Sequence, residues 1–373
     1  MKGTPYMADS RIDQLGRLLV EYSIDVQPGQ VIEISGGPVA SPLIQAAYKY
    51  TLLRGGHPVT RITLPGLTEL MFEHGSDEQL RHLTPIDRYG IEKADGLIRL
   101  MSETNTRSLT NVDPARQQLA QKARGELRNT MLKRAAAEEL AWVLTLFPTE
   151  AYAQDAEMSL AEYEEFVYGA GLLDDPDPVA RWREISREQQ RTIDWLSEKK
   201  EIRIQAEGTD LTVQTGGRTW INADGNHNFP DGEIFTGPIE DSANGHVSFT
   251  FPSTMNGRSV EGIKLEFKDG KVVNASANKN EEYLISTLDT DEGARYLGEF
   301  AFGTNRGIQK FTGNTLFDEK IGGTLHMAVG AGYPQTGSRN TSAVHWDMIV
   351  DLRSGSEVHV DGELFSKDGA FQI

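Results

Sequence analysis

The chain has 373 residues and not one cysteine. That excludes a disulfide framework, a thiolate-ligated metal and a thiol nucleophile. Positive charge is also short: 37 Lys and Arg stand against 55 Asp and Glu, a net charge of −18. With no surplus of cations to neutralise phosphates, the chain is expected to take no nucleic acid as a partner and to dock on no anionic membrane. No apolar run approaches the ~20 residues of a membrane-spanning helix. The opening MKGTPYMADSRIDQLGRLLVEYS lacks the apolar segment of a secretion signal, and Met7 offers a second start within it. A cytoplasmic protein is the expectation. Familiar catalytic phrases are missing too. The histidines stand at 57, 74, 82, 227, 246, 326, 345 and 359, and none forms HExxH. There is no GxSxG and no GxxxxGK[ST]. The phrase SGGP at 35–38 has the outline of a phosphate loop without its spaced glycines, and reads as an ordinary turn between strand and helix.

The first half alternates strand and helix patterns. Apolar runs at 30–37, 57–64, 95–103 and 140–148 read as strands. Helices are expected from Asp9 or Ser10 onward, over 41–54 with Ser41 as cap and Gly55 as stop, and over 112–137. A further helix over 158–173 opens with Ser159 and Glu162 at capping-box spacing, and 178–200 follows as a long helix. From Lys200 the period changes to two. Segments 201–220, 246–253, 262–277, 324–332 and 343–352 read as strands joined by Gly turns. The expected architecture is an α/β amino-terminal domain over 1–199 with a largely parallel sheet, followed over 200–373 by a β-rich α+β metal-binding domain.

Six side chains in the last third are of the types that hold divalent metals. They are Glu233 in NFPDGEIF, Glu299 in YLGEFAFG, His326 in TLHMAVG, Tyr333 in GAGYP, and His345 with Asp347 in VHWDMIV. Oxygen and imidazole donors suit Zn, Co or Mn. Three carboxylates in one pocket repel one another unless a cation neutralises them. His345 and Asp347 lie two apart on a strand and so share a face, with Trp346 and Met348 turned to a core. Taken singly, each phrase has a plainer reading. HxD serves equally as a hydrogen-bonded pair, His326 as a core histidine, Tyr333 as a packing aromatic, and the two glutamates as strand-end charges. Asp318 and Glu319 are weaker supporting acids.

Taken together, these phrases are distinctive. NFPDGEIFTGP, ARYLGEFAFG, LHMAVGAGYP, Asn340 to Ser342 and HWDMIVD occur in that order, preceded by FPTEAYAQDAEMSLAEYEEFVYGAG and DPVARW. The chain resembles the aminopeptidase T / aminopeptidase S family of metalloaminopeptidases over nearly its whole length. The resemblance implies a metal site at Glu233, Glu299, His326, Tyr333, His345 and Asp347, with two divalent ions, zinc or cobalt before manganese or magnesium. It also implies a homodimer whose active sites face an enclosed cavity. The stretch between Tyr333 and His345 is shorter than is usual in the family.

The expected activity is release of amino-terminal residues from peptides with a free amino terminus, with metal-activated water as nucleophile. Glu233 or Glu299 bridges the ions in this reading, and Glu299 and Tyr333 take part in catalysis. Two alternatives stand beside it. A two-metal phosphoesterase would use the same ligand types, with Lys320 and Arg339 as the nearby cations. A non-catalytic two-domain binding protein would use the α/β half and its SGGP turn.

Overall fold

The computed structural model describes residues 9–255 and 257–373. Met7 lies outside them. The chain divides into two compact units, 1–182 with 225–230, and 183–224 with 231–373.

The first unit is built on a five-stranded parallel sheet. Its order is His57–Ile62, Val31–Gly36, Gly96–Met101, Ala141–Leu146 and Asn228–Phe229. The two central apolar runs bury Ile32, Ile34, Leu97, Ile98 and Leu100, as continuous burial in a parallel sheet requires. The helix Ser10–Leu18 starts on the Asp9 side chain, which accepts from Arg11 N–H, and it packs on the helix Ser41–Leu53. A Cβ on Gly16 would lie 2.5 Å from that of Ala46, so only glycine permits this close crossing. The capping box forms as expected: Ser159 Oγ accepts from Glu162 N–H, and Glu162 accepts from Ser159 N–H. Ser41 differs from expectation. The 3-10 turn Pro38–Ala40 runs straight into the helix, Ser41 N–H already bonds Pro38 O, and the hydroxyl caps nothing. The two-residue strand Asn228–Phe229 was not foreseen. Phe229 meets the edge of buried Trp182, whose Nε1 donates to Gly171 O at 2.8 Å.

The second unit holds two antiparallel sheets. Eight strands run in the order Lys271–Ser276, Lys264–Lys268, Asn244–Ser248, Thr209–Gln214, Glu201–Ala206, Glu357–Val360, Glu363–Lys367 and Ala370–Phe371. Five more run in the order His345–Asp351, Thr324–Gly330, Leu297–Gly303, Glu233–Thr236 and Ile221–Ala223. The two sheets share one core, in which Ile202, Ile204 and Phe365 meet Phe302, Met327 and Met348. The strand expected over 246–253 is broken. Asn244–Ser248 belongs to the large sheet, while Ser253–Met255 pairs in a ribbon with Arg258–Val260. Between them Phe249 and Thr250 donate to Ile263 and Ile349, and Pro252 has no N–H to continue a ladder. No helix among the described residues is long and apolar enough to cross a membrane.

Candidate metal centre

The five-stranded sheet has one apolar face and one polar face, and alternation assigns each side chain. Leu325, Met327 and Val329 enter the core from the His326 strand, as do Trp346, Met348 and Val350 from the His345 strand. His326, His345, Asp347 and Glu299 are therefore left for the opposite face. Register aligns them across strands. Glu299 lies opposite Ala328, which lies opposite Asp347; His326 lies opposite Ala301, and Glu233 opposite Gly303. Small residues thus stand between the donors and leave room where their side chains converge.

Glu299 reaches this face through a bulge. Leu297 pairs with Val329 and Glu299 with Ala328, so Gly298 is an extra residue on its strand. Leu297 can then enter the core while Glu299, two positions on, points to the other side. A Cβ on Gly298 would stand 2.3 Å from Ala331 O and 2.4 Å from Gly330 O. Only glycine fits there.

The donors converge closely. His326 Nε2 lies 3.5 Å from Glu233 Oε2 and 3.6 Å from Glu299 Oε1. His345 Nε2 lies 3.2 Å from Glu299 Oε2 and 3.5 Å from Asp347 Oδ1. Two groups of three donors result, Glu233 with Glu319 and His326, and Glu299 with His326 and Asp347, each within 4.8 Å. Both imidazoles are oriented from behind. His326 Nδ1 meets Glu319 O at 3.1 Å and His345 Nδ1 meets Ala331 O at 2.7 Å. A carbonyl can only accept, so each Nδ1 carries a proton and Nε2 is the nitrogen turned to the centre, where a metal would take its lone pair.

Four carboxylates share this space with one ammonium group. Lys320, 2% exposed, places Nζ 2.7 Å from Glu319 Oε2 and 3.3 Å from Glu233 Oε1. Without metal, the imidazoles gather the missing positive charge. Burial works to lower His345, but the facing Asp347 and Glu299 lift it to about 11. Burial likewise opposes the rise of His326, which Glu299 and Glu233 carry to about 9. Burial pushes the Glu319 carboxyl up to about 8 against the pull of Lys320. Among the described residues, Glu233 Oε2 and Asp347 Oδ1 are buried with no hydrogen-bond partner, each 3.5 Å from an imidazole Nε2. Such oxygens are costly to leave unmatched. A cluster of carboxylate oxygens and correctly oriented imidazoles fits divalent zinc, cobalt or manganese.

Glu233, Glu299, His326, His345 and Asp347 are thus brought together. Tyr333 stands at the rim, 40% exposed, its ring 5.2 Å from that of His345 and 5.5 Å from that of Phe235. The two supporting acids part ways. Glu319 joins the cluster. Asp318 accepts from Thr312 N–H and Oγ at 2.7 and 2.9 Å and holds a neighbouring turn, its own pKa raised to about 7 by burial. Gln189 was not foreseen. It is buried on the long helix Pro178–Ser197, and its Nε2 donates to Glu233 O at 3.0 Å and to Asn222 Oδ1 at 2.7 Å, which fixes the start of the Glu233 strand. Nothing local marks a helical glutamine for that task, because its acceptors lie more than thirty residues away.

The chain as a whole is similar to known proteins. The profile of a family described as Thermophilic metalloprotease (M29) matches residues 8–371. "Aminopeptidase 2" of Geobacillus stearothermophilus is 30% identical over 400 residues, covering 97% of this chain and 95% of that protein. "Aminopeptidase T" of Thermus aquaticus is 28% identical over 400 residues, covering 95% and 94%. Among solved structures, wild-type AmpT from Thermus thermophilus superposes with a TM-score of 0.84 at 23% identity, covering 98% of this chain and 99% of that one. That likeness supports the fold: a parallel α/β unit followed by a β-rich unit. With the family profile matched along nearly its whole length, the chain belongs to the thermophilic metalloproteases of family M29 and is a metal-dependent hydrolase of peptide bonds.

Proposed function

We propose that this protein is an aminopeptidase that releases amino-terminal residues from peptides at a centre of two divalent ions, zinc or cobalt before manganese or magnesium. The observation that carries the reading is the pair of three-donor groups sharing His326, with both imidazoles held in the metal-binding tautomer by backbone carbonyls. Glu299 would serve both ions in this proposal, because its two oxygens face different histidines, Oε1 toward His326 and Oε2 toward His345. Glu233, Glu319 and His326 would hold one ion, and His345 and Asp347 the other. Metal bound there supplies Lewis acidity toward water and the scissile carbonyl.

The chain's own groups do the rest. Lys320 occupies Glu233 Oε1 and leaves Oε2 as the free donor. Tyr333, at the rim rather than inside the buried groups, donates its hydroxyl to the oxyanion that forms on the substrate carbonyl. A phosphoesterase reading is weakened at Lys320, which two carboxylates engage, and keeps only Arg339 of its two nearby cations. A homodimer belongs to the proposal, supported by the apolar helix Leu67–His74, which buries no residue and exposes Leu67, Leu70 and Met71. Cytoplasmic residence belongs to the proposal as well.

The test pairs metal analysis of the purified protein with hydrolysis of a panel of amino-acid p-nitroanilides, before and after EDTA. About two ions per chain, and activity lost to chelator and restored by Zn²⁺ or Co²⁺, is the expected result. His345→Ala and Asp347→Ala should each cost more than the roughly 10–100-fold lost with an outer partner of a metal ligand. Full activity in either variant ends the assignment.

A further inference from the structure

The first unit contains a cavity of about 480 Å³ lined by Ser35, Gly37, Glu69, Arg99, Glu103 and Leu144, among others. That volume suits a small ligand. It lies at the carboxyl ends of the strands Val31–Gly36 and Gly96–Met101. These are the central neighbours from which the chain departs to opposite sides, His57–Ile62 on one and Ala141–Leu146 on the other. In an open parallel sheet this switch of direction leaves a crevice at the strand ends, and ligands of such sheets bind there.

One lining residue is chemically unfinished. Arg99 lies in a row across the sheet with Ser35, Arg61 and Leu144. Arg61 of that row is held by Asp87 at 2.6 Å and Glu33 at 3.3 Å. The Arg99 guanidinium, half-buried, has no hydrogen bond and no ion pair among the described residues. Burial pulls its pKa down, with the charge of Glu33 opposing. A desolvated fork of N–H donors aimed into a cavity matches a planar carboxylate.

Phosphate is the worse fit. Gly37 N–H already donates to Ser102 Oγ at 2.8 Å, Ala40 N–H donates to Gly37 O, and Pro38 and Pro42 have none to give. Glu69 and Glu103 on the wall repel a dianion and attract an ammonium group, while Leu64, Leu109 and Leu144 offer apolar contact. The geometry points to a second binding site, in which Arg99 takes the carboxylate of a free α-amino acid with an apolar side chain. The choice of an amino acid among zwitterions rests on the peptidase reading, since such a molecule is its product.

Equilibrium dialysis of labelled L-leucine against the metal-loaded, full-length protein tests the site. One equivalent per chain is expected, with a dissociation constant of about 1 mM or tighter. Arg99→Met weakens it by about tenfold or more and Arg99→Lys weakens it less, while p-nitroanilide turnover stays unchanged in both. On the wild-type protein after chelation, which keeps the amide from being hydrolysed to leucine, L-leucinamide and inorganic phosphate fail to displace it, a readout that requires no variant. The equivalent persists after chelation, so a failed peptidase reading appears as absent turnover with leucine still bound, and a failed Arg99 reading as the converse. Equal uptake by wild type and Arg99→Met, or displacement by leucinamide or phosphate, overturns the assignment.

Discussion

Gly298 shows how one residue without a side chain directs one that has chemistry. Gly298→Ala brings a methyl against two carbonyl oxygens, and relief requires closing the bulge that aims Glu299. Overpacking of this kind costs about 1–3 kcal/mol. The expected outcome is a lower unfolding midpoint together with reduced metal content; a variant that melts earlier but keeps full metal would break the link between bulge and ligand. Tyr333→Phe should behave differently, lowering turnover by about 10²–10³-fold, the usual cost of one oxyanion donor, while metal content holds. Normal turnover in that variant removes the hydroxyl from the reaction. The donors on strands were readable beforehand, because a period of two places His345 and Asp347 together and sends Trp346 to the core. The turn of Glu299 toward them was not readable, since a bulge is a matter of pairing rather than of local composition. Glu319 was legible only as a supporting acid alongside Asp318: it sits in a turn among other acids, and only tertiary folding separates the two.

The helices and strands themselves were legible to within a few residues where hydrophobic period and punctuation agreed. The hairpin Lys264–Lys268 with Lys271–Ser276 turns on Asp269 and Gly270, both at positive φ, the residue pair that such a two-residue turn favours. The strand Asn228–Phe229 was illegible because two residues carry no period. The loop before the His345 strand depends on Asp291, whose carboxylate accepts from Ala343 N–H and Ser342 Oγ on one side and from Gly293 and Ala294 N–H on the other. Those bonds, led by the one from Ala343, hold its pKa below the usual carboxylate value. A depressed folded pKa contributes stability that is fully present above the unfolded value of about 3.9 and is lost as pH falls through the folded one. Asp291→Asn should therefore destabilise the protein relative to wild type at pH 6, with the gap closing toward pH 3. Denaturant unfolding at the two pH values measures it, and a gap that widens in acid contradicts the account.

At the scale of the molecule, every donor of the centre comes from one unit and chiefly from one sheet, whose other face is packed in a core shared with the second sheet. Metal that binds only the native form stabilises it, by about 2.7 kcal/mol at a hundred times the dissociation constant. Chelation should then lower the unfolding midpoint. It should also speed hydrogen exchange in the strands Glu233–Thr236, Leu297–Gly303, Thr324–Gly330 and His345–Asp351, and leave the parallel sheet of the first unit as it was. Uniform acceleration in both units would speak against a local centre. The buried Ala328, between Glu299 and Asp347, carries a consequence for descent. A lineage can abandon the chemistry without touching a single ligand, by growing a branched side chain at this position and closing the space between the two carboxylates. Relatives that keep both histidines and all the acids but bear valine or isoleucine there should prove to be metal-free descendants, recognisable by what fills the gap.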